Sequence, residues 1–301
     1  MKHSFSTDPS CSRRTFLTIA GAIPAAVAAR AVSDTVDSAG ATVAEAKKRP
    51  IGLELYSVRG ELDRDLPATL KTVAKLGYEV VEFYSPYFKW TPVYAKDVRA
   101  QMDDLGLRCY STHNGFESFS SAENMAHAIE LNQILGTRYI VLASGSAKDL
   151  DGWKHLCEQL TAAVEQLKTH GLGAGYHNHQ AEWAKLDGGQ RIIEVIAANT
   201  PKEFVLQLDV GTCEEAGADP VAWVKANPGR IKTMHLKDWA PDKGYHVLFA
   251  EGVTPWKELL AAAESVGGIE YFLIEQECSR FSEFETAKRC LDTWKAMFRK
   301  A

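Results

Sequence analysis

"DLPATLKTVAKLGYEVVEF", residues 65–83, holds one complete unit of the pattern that decides the fold. Leu66, Leu70, Val73 and Leu76 recur at helical spacing and place one apolar stripe on a helix. Gly77 follows the last of them, where a helix ends by turning left-handed. Two residues later "EVVEF" (79–83) is a short, β-branched run of strand length. Helix and strand therefore follow each other with almost no chain between them.

The same alternation extends in both directions. Strand-length runs stand at "IGLEL" (51–55), "LRCYS" (107–111), "RYIVLA" (138–143), "LGAGYH" (172–177), "FVLQLD" (204–209), "IKTMHL" (231–236) and "YFLIE" (271–275). Between them lie amphipathic segments such as "AKDVRAQMDDLG", "AENMAHAIELNQILG" and "WKHLCEQLTAAVEQLKTHG", each closed by a glycine, as are "DPVAWVKANPG" and "PWKELLAAAESVGG". Strands alternating with helices form parallel βαβ units. Eight such units in roughly 250 residues predict an α/β fold, the (β/α)8 or TIM barrel. A doubly wound open sheet is the competing architecture, but no glycine-rich loop follows the first strand, as a dinucleotide-binding version requires.

The chain has 301 residues, 46% hydrophobic and 24% charged, with a formal net charge of −5. That is ordinary globular composition, without the basic footprint of a nucleic-acid binder. Six cysteines are spread without a CxxC pair, so neither a zinc ribbon nor a disulfide framework is indicated.

Residues 1–31 differ from the rest. Arg13-Arg14 precede a short apolar, Ala-rich stretch from Leu17 to about Ala28. It is too short for a stable membrane span, which needs about 20 residues, and it matches the layout of a secretory signal. "SRRTFL" resembles the twin-arginine export signal, which implies a periplasmic or otherwise exported protein. Residues 32–50 are small, polar and charged, and are expected to be a flexible linker. The barrel is expected over residues 51–301.

In such barrels the active site gathers at the C-terminal ends of the strands. Those ends carry Glu54 and Tyr56, Glu82 and Tyr84, His113-Asn114, His177 and His179 with Glu182 behind them, Gln207 and Asp209, His235 with Lys237 and Asp238, and Glu275 with Glu277. Residues i and i+2 of a strand point to the same side. The pairs His177/His179, Gln207/Asp209, His235/Lys237 and Glu275/Glu277 therefore deliver imidazoles, carboxylates and a lysine to one place. Mixed histidine and carboxylate donors suit one divalent ion: Mn, Zn, Mg or Co.

"YHNHQAEW" (176–183), "LDVGT" (208–212), "HLKDW" (235–239) and "IEQE" (274–277) resemble the sugar phosphate isomerase/epimerase group of the xylose isomerase-like barrel superfamily. That superfamily also holds metal-dependent apurinic endonucleases and inosose dehydratases. The resemblance covers about 51–301, including "FAEGVTPWKELL". It implies that Asp209, His235 and Glu275 are metal ligands. At the strand-5 ligand position, where many relatives carry glutamate, this chain has His177, with His179 as an alternative ligand. The paired-glutamate proton shuttle of the ketose epimerases therefore cannot operate in its usual form, and Glu182 is the carboxylate placed to replace part of it.

The chemistry this implies is proton abstraction next to a carbonyl through an enediolate, with the metal as Lewis acid. His113 and His179 are candidate bases, since imidazole exchanges protons near neutral pH. Lys237 is placed to bind a substrate oxygen, while Glu54, Tyr56, Glu82 and Asn114 are placed to contact substrate hydroxyls. Trp239 is placed to stack on a sugar face. The expected function is a metal-dependent sugar isomerase or epimerase acting on a small sugar or keto-sugar. The alternatives are a lyase performing β-elimination on a 3-keto glycoside or keto-cyclitol, and a non-catalytic sugar-binding barrel. An acidic, exported chain argues against a nuclease. Homo-oligomerisation is left open.

Overall fold

The computed structural model describes residues 49–297. The expected export signal, and the expected linker up to residue 48, lie outside the described residues. The strands are β1 (Ile51–Glu54), β2 (Val80–Phe83), β3 (Arg108–Asn114), β4 (Tyr139–Leu142), β5 (Gly173–His177), β6 (Val205–Asp209), β7 (Thr233–Leu236) and β8 (Tyr271–Ile274). They pair in chain order, all parallel, and β8 returns to β1 to close the barrel. This is the TIM barrel expected from the alternation.

The helix Leu66–Leu76 shows how local signals fix each unit. Asp65 caps it by accepting from the Ala68 backbone N–H at 2.9 Å, and a proline opens its first turn. Leu70 and Val73 are buried while Leu66 and Leu76 flank them half-buried. Gly77 then adopts φ 101°, and the chain enters β2 three residues later. One helix starts earlier than its apolar pattern: Pro92–Asp104 begins at a Thr91 cap, ahead of "AKDVRAQMDDLG". No helix among the described residues is long and apolar enough to cross a membrane.

Two apolar clusters divide the interior. The large one lies between the sheet and the surrounding helices and includes Leu53, Val81, Leu206 and Ile274. The small one, Val80, Tyr271 and Leu273, comes from the alternate residues and fills the base of the barrel. Gly52 belongs to this tier. A Cβ there would stand 2.7 Å from Leu273 and 2.8 Å from Val80, so only glycine lets β1 approach. Two residues further along β1, β2 and β8, on the same inward phase, stand Glu54, Glu82 and Glu275. A polar tier therefore sits directly on an apolar one.

Candidate active site

The strand register assembles that polar tier. Glu54 pairs with Glu82 across β1 and β2, His177 with Gln207 across β5 and β6, and Asp209 with His235 across β6 and β7. Glu54, Glu82, Asp209 and His235 are each 0% exposed. Charged groups so deep persist only if they satisfy one another.

They do so through one continuous network. His235 Nε2 lies 2.7 Å from Glu82 Oε2 and its Nδ1 lies 2.7 Å from Glu275 Oε2. Both partners are carboxylates, which accept only, so both ring nitrogens carry protons. Burial opposes that charge, but Glu275 and Glu82 outweigh it and hold the imidazole well above its ordinary range. The same contacts act on the acids. Burial raises both, yet His113 and His235 hold Glu82 below the usual carboxylate range, and Lys237 and His235 do the same for Glu275.

Gln207 joins the two halves. Its Nε2 donates to Glu82 Oε1 at 3.1 Å, which fixes which end of the amide is oxygen. Its Oε1 then lies 2.6 Å from His113 Nε2 and 3.0 Å from His177 Nδ1. Both rings donate to this oxygen. His177 is left with a bare Nε2, which stands 3.7 Å from Asp209 Oδ2. Burial, then His113 and His235, keep His177 well below the ordinary imidazole range, and burial also lowers His113.

Asp209 does two jobs. Its Oδ1 caps the following short helix by accepting from Thr212 N at 3.0 Å, and its Oδ2 accepts from Lys237 Nζ at 3.2 Å. Lys237 is 1% exposed, also bonds Glu277, and lies 3.8 Å from Glu275 Oε1. Burial pulls its charge down, but Asp209, Glu275 and Glu277 reverse that and hold it firmly protonated. Glu277 is raised, first by burial and then by the charge on Glu275, with Lys237 opposing. Glu54 is raised well above the usual range by burial, Glu275 and Glu82. Its Oε2 accepts from the Tyr56 N–H, while its Oε1 has no hydrogen-bond partner among the described residues.

Above this tier opens a cavity of about 350 Å³. Of the residues expected at the site, Glu54, Tyr56, His113, Asn114, His177, His179, Lys237 and Glu275 line it. Asp209, His235 and Glu82 lie buried behind them. The structure does not bring Glu182 or Trp239 to the lining. Glu182 instead fixes the turn after β5, accepting from Tyr176 OH and from His179 N at 2.8 Å each. Trp239 lies in the loop after β7, its N–H bonded to Asp238 Oδ1 at 3.0 Å. Asn114 lines the cavity, but its amide is committed to Tyr87 OH at 2.6 Å and Thr112 O at 2.8 Å.

The lining also contains Tyr84, Gln180, Tyr245 and Glu277. Glu277 and Gln207 were visible as i+2 and i−2 partners of the expected ligands. Tyr245 carried no such signal. It arrives on the loop after β7, which Asp238 pins down by accepting from Gly252 N at 3.1 Å, Thr254 Oγ1 at 3.0 Å and Trp256 Nε1 at 3.0 Å. A larger cleft of about 730 Å³ lies outside the barrel near Trp183 and Trp223. Its buried Arg230 is spent on the Ala197 and Phe204 carbonyls and the Thr200 hydroxyl, and among the described residues no clustered group of possible ligand atoms includes a residue of its lining.

Among the described residues, three groups bring possible ligand atoms within 4.8 Å of one another: His177, Asp209 and Glu275; His113, His177 and His235; and Glu54, Glu82 and His113. The first matches three of the four expected ligands. One imidazole with a bare nitrogen and two carboxylates is a donor set that fits a divalent ion such as Zn or Mn.

Residues 70–297 match the family model described as the xylose isomerase-like TIM barrel. A putative L-ribulose-5-phosphate 3-epimerase of Escherichia coli K12 is 24% identical, over 77% of this chain and 90% of that protein. A crystal structure of a sugar phosphate isomerase/epimerase from Parabacteroides distasonis superposes with a TM-score of 0.69 at 26% identity, covering 81% of this chain and 92% of that one. The IOLI protein, solved with a bound zinc atom, superposes with a TM-score of 0.60 at 15% identity, covering 82% of this chain and 95% of that one.

Proposed function

We propose that this chain, which belongs to the xylose isomerase-like TIM barrel family, is a divalent-metal-dependent sugar isomerase or epimerase. The observation that carries the reading is the convergence of His177, Asp209 and Glu275 beneath a cavity of sugar size. These three would hold the ion, and His235 would join them on giving up one of its two protons. A divalent ion there would polarise adjacent carbonyl and hydroxyl oxygens of the substrate.

The chain's own residues divide the remaining work. Lys237, kept charged by Asp209, Glu275 and Glu277, offers N–H bonds to a substrate oxygen as it gains negative charge. His179 stands on the β5 side of the cavity and Glu277 on the β8 side. One takes a proton from the carbon next to the carbonyl and the other returns it. This pair takes over the shuttle that loses one of its two glutamates where His177 stands. The aromatic rings of Tyr56, Tyr84 and Tyr245 narrow the mouth and limit water.

A second reading is β-elimination from a 3-keto sugar. It is favoured by the imidazole at the strand-5 ligand position, which leaves Glu275 as the carboxylate ligand facing the cavity. One experiment separates the two. The purified protein with Mn or Zn is incubated with ketoses and with 3-keto glycosides in deuterated water and followed by NMR. Deuterium incorporation at a retained carbon supports isomerisation or epimerisation, and loss of the aglycone supports elimination. Neither, with any sugar and with metal bound, would sink the enzymatic reading. The N-terminal segment is proposed to direct export through the twin-arginine route, which fractionation of cells with the Arg13→Lys/Arg14→Lys chain would test.

A further inference from the structure

We propose a second divalent-cation site on the β1–β2–β3 wall of the cavity, formed by Glu54, Glu82 and His113. It is separate from the group His177, Asp209 and Glu275.

The argument starts from His113. Its Nε2 faces two acceptors, Gln207 Oε1 at 2.6 Å and Glu82 Oε2 at 3.2 Å. Gln207 must present oxygen there, because its amide nitrogen is bonded to a carboxylate. The ring proton is therefore on Nε2, and Nδ1 carries a bare lone pair. That lone pair faces Glu54 Oε1 at 3.9 Å. Glu54 is 0% exposed, lines the cavity, and this oxygen is the one with no hydrogen-bond partner among the described residues.

The imidazole lone pair and a carboxyl oxygen thus face each other in a buried place, too far apart to bond directly. A hydrogen bond cannot span the gap, since N–H···O contacts end near ~3.2 Å. A divalent ion can. Ligand bonds of about 2.1 Å on each side meet across such a separation at a wide angle. Glu54 is held ready for it, because its other oxygen is fixed by the Tyr56 N–H. Glu82, the register partner of Glu54, completes a group of three residues that each place a possible ligand atom within 4.8 Å of the others. Two carboxylates and one imidazole select a borderline ion such as Mn or Zn.

This moves His113 from the base expected in sequence to a ligand. The site's role in turnover rests on the proposed isomerase reading. Its existence does not, since the ion is read directly.

The test uses the full chain and manganese alone. Crystals equilibrated at saturating manganese are expected to show an anomalous peak at bonding distance from both Glu54 Oε1 and His113 Nδ1. Bound manganese in solution is expected to fall about twofold in Glu54→Gln, while Asp209→Asn loses the other ion and keeps this peak. A wild-type crystal with no anomalous peak between Glu54 and His113 overturns the proposal, whatever is found at His177. Wild-type diffraction decides the matter even if a variant fails to fold. Both ions bound without any deuterium exchange would sink the isomerase reading and leave this site standing.

Discussion

The amide oxygen of Gln207 lies 3.0 Å from Nδ1 of His177, and this contact decides which ring nitrogen is left for a metal ion. Nδ1 must donate, so Nε2 points its lone pair toward Asp209. The arrangement fixes the tautomer of a proposed ligand from outside the proposed ligand set, an effect worth about 10–100-fold in affinity when the outer partner is removed. Gln207→Leu is therefore expected to weaken manganese binding by about that factor. The ¹⁵N shifts of His177 should show a mixture of tautomers, a signature that simple loss of packing would not produce.

Asp209 is a helix cap and a partner for Lys237, and its second oxygen is proposed as a metal ligand. Asp209→Asn keeps an acceptor for Thr212 N but loses the charge. We expect metal binding to drop in both Asp209→Asn and Asp209→Ala. The alanine variant should be less stable than the asparagine variant by about 1 kcal/mol, the worth of a cap. Denaturant titration of the two metal-free variants side by side measures the difference. Equal stabilities would mean that the cap contributes nothing.

The stability of the metal-free protein should peak near neutral pH. His113 and His177 have folded values lowered by burial, so the unfolded chain takes up protons that the native state refuses as pH falls through about 6.5. Stability is lost on that acid side. His235 has a raised value, so its contribution is complete below about 6.5 and disappears as pH climbs through the raised folded value. Melting temperatures across the range, with chelator present, should trace both limbs. A curve rising steadily into alkali would contradict the His235 assignment.

Removing either proposed proton carrier should cost far more in turnover than in binding. His179→Asn and Glu277→Gln are each expected to slow solvent exchange by about 10²–10⁴-fold. Manganese stoichiometry should be unchanged in both, because neither residue belongs to the metal-ligand groups. If either variant exchanged deuterium at the wild-type rate, the pairing of roles across the cavity would be wrong.

Asp238 gathers the loop after β7 through three contacts beyond its own neighbour. Asp238→Ala should destabilise the protein by about 3 kcal/mol, as expected for hydrogen bonds to a buried charge. It should also raise KM more than it lowers kcat, because Tyr245 loses its position at the mouth. Steady-state kinetics beside chemical denaturation would separate the two effects.

The barrel was legible because its signals are local. Apolar spacing and glycine stops mark each helix, and a short β-branched run marks each strand, as residues 65–83 show. The identity of the polar tier was legible because i and i+2 share a face. What the sequence could not show is which of those residues meet across the barrel. His235 and Glu82 are 153 positions apart, and nothing near either announces the other. The same holds for Gln207, whose role depends on three partners from three other strands. Glu182 misled for the opposite reason. It stands in sequence where a carboxylate would be useful, but Tyr176 and the turn after β5 claim both of its oxygens.

Gly52 carries a practical consequence. A barrel floor in which one added methyl group collides with two neighbouring strands is intolerant of redesign. The residues that line the cavity sit a tier higher, several of them on loops. An engineer who wants a new sugar specificity can therefore rewrite positions such as Tyr84, His179 and Tyr245 while leaving the floor, and with it the spacing of the ligands, untouched.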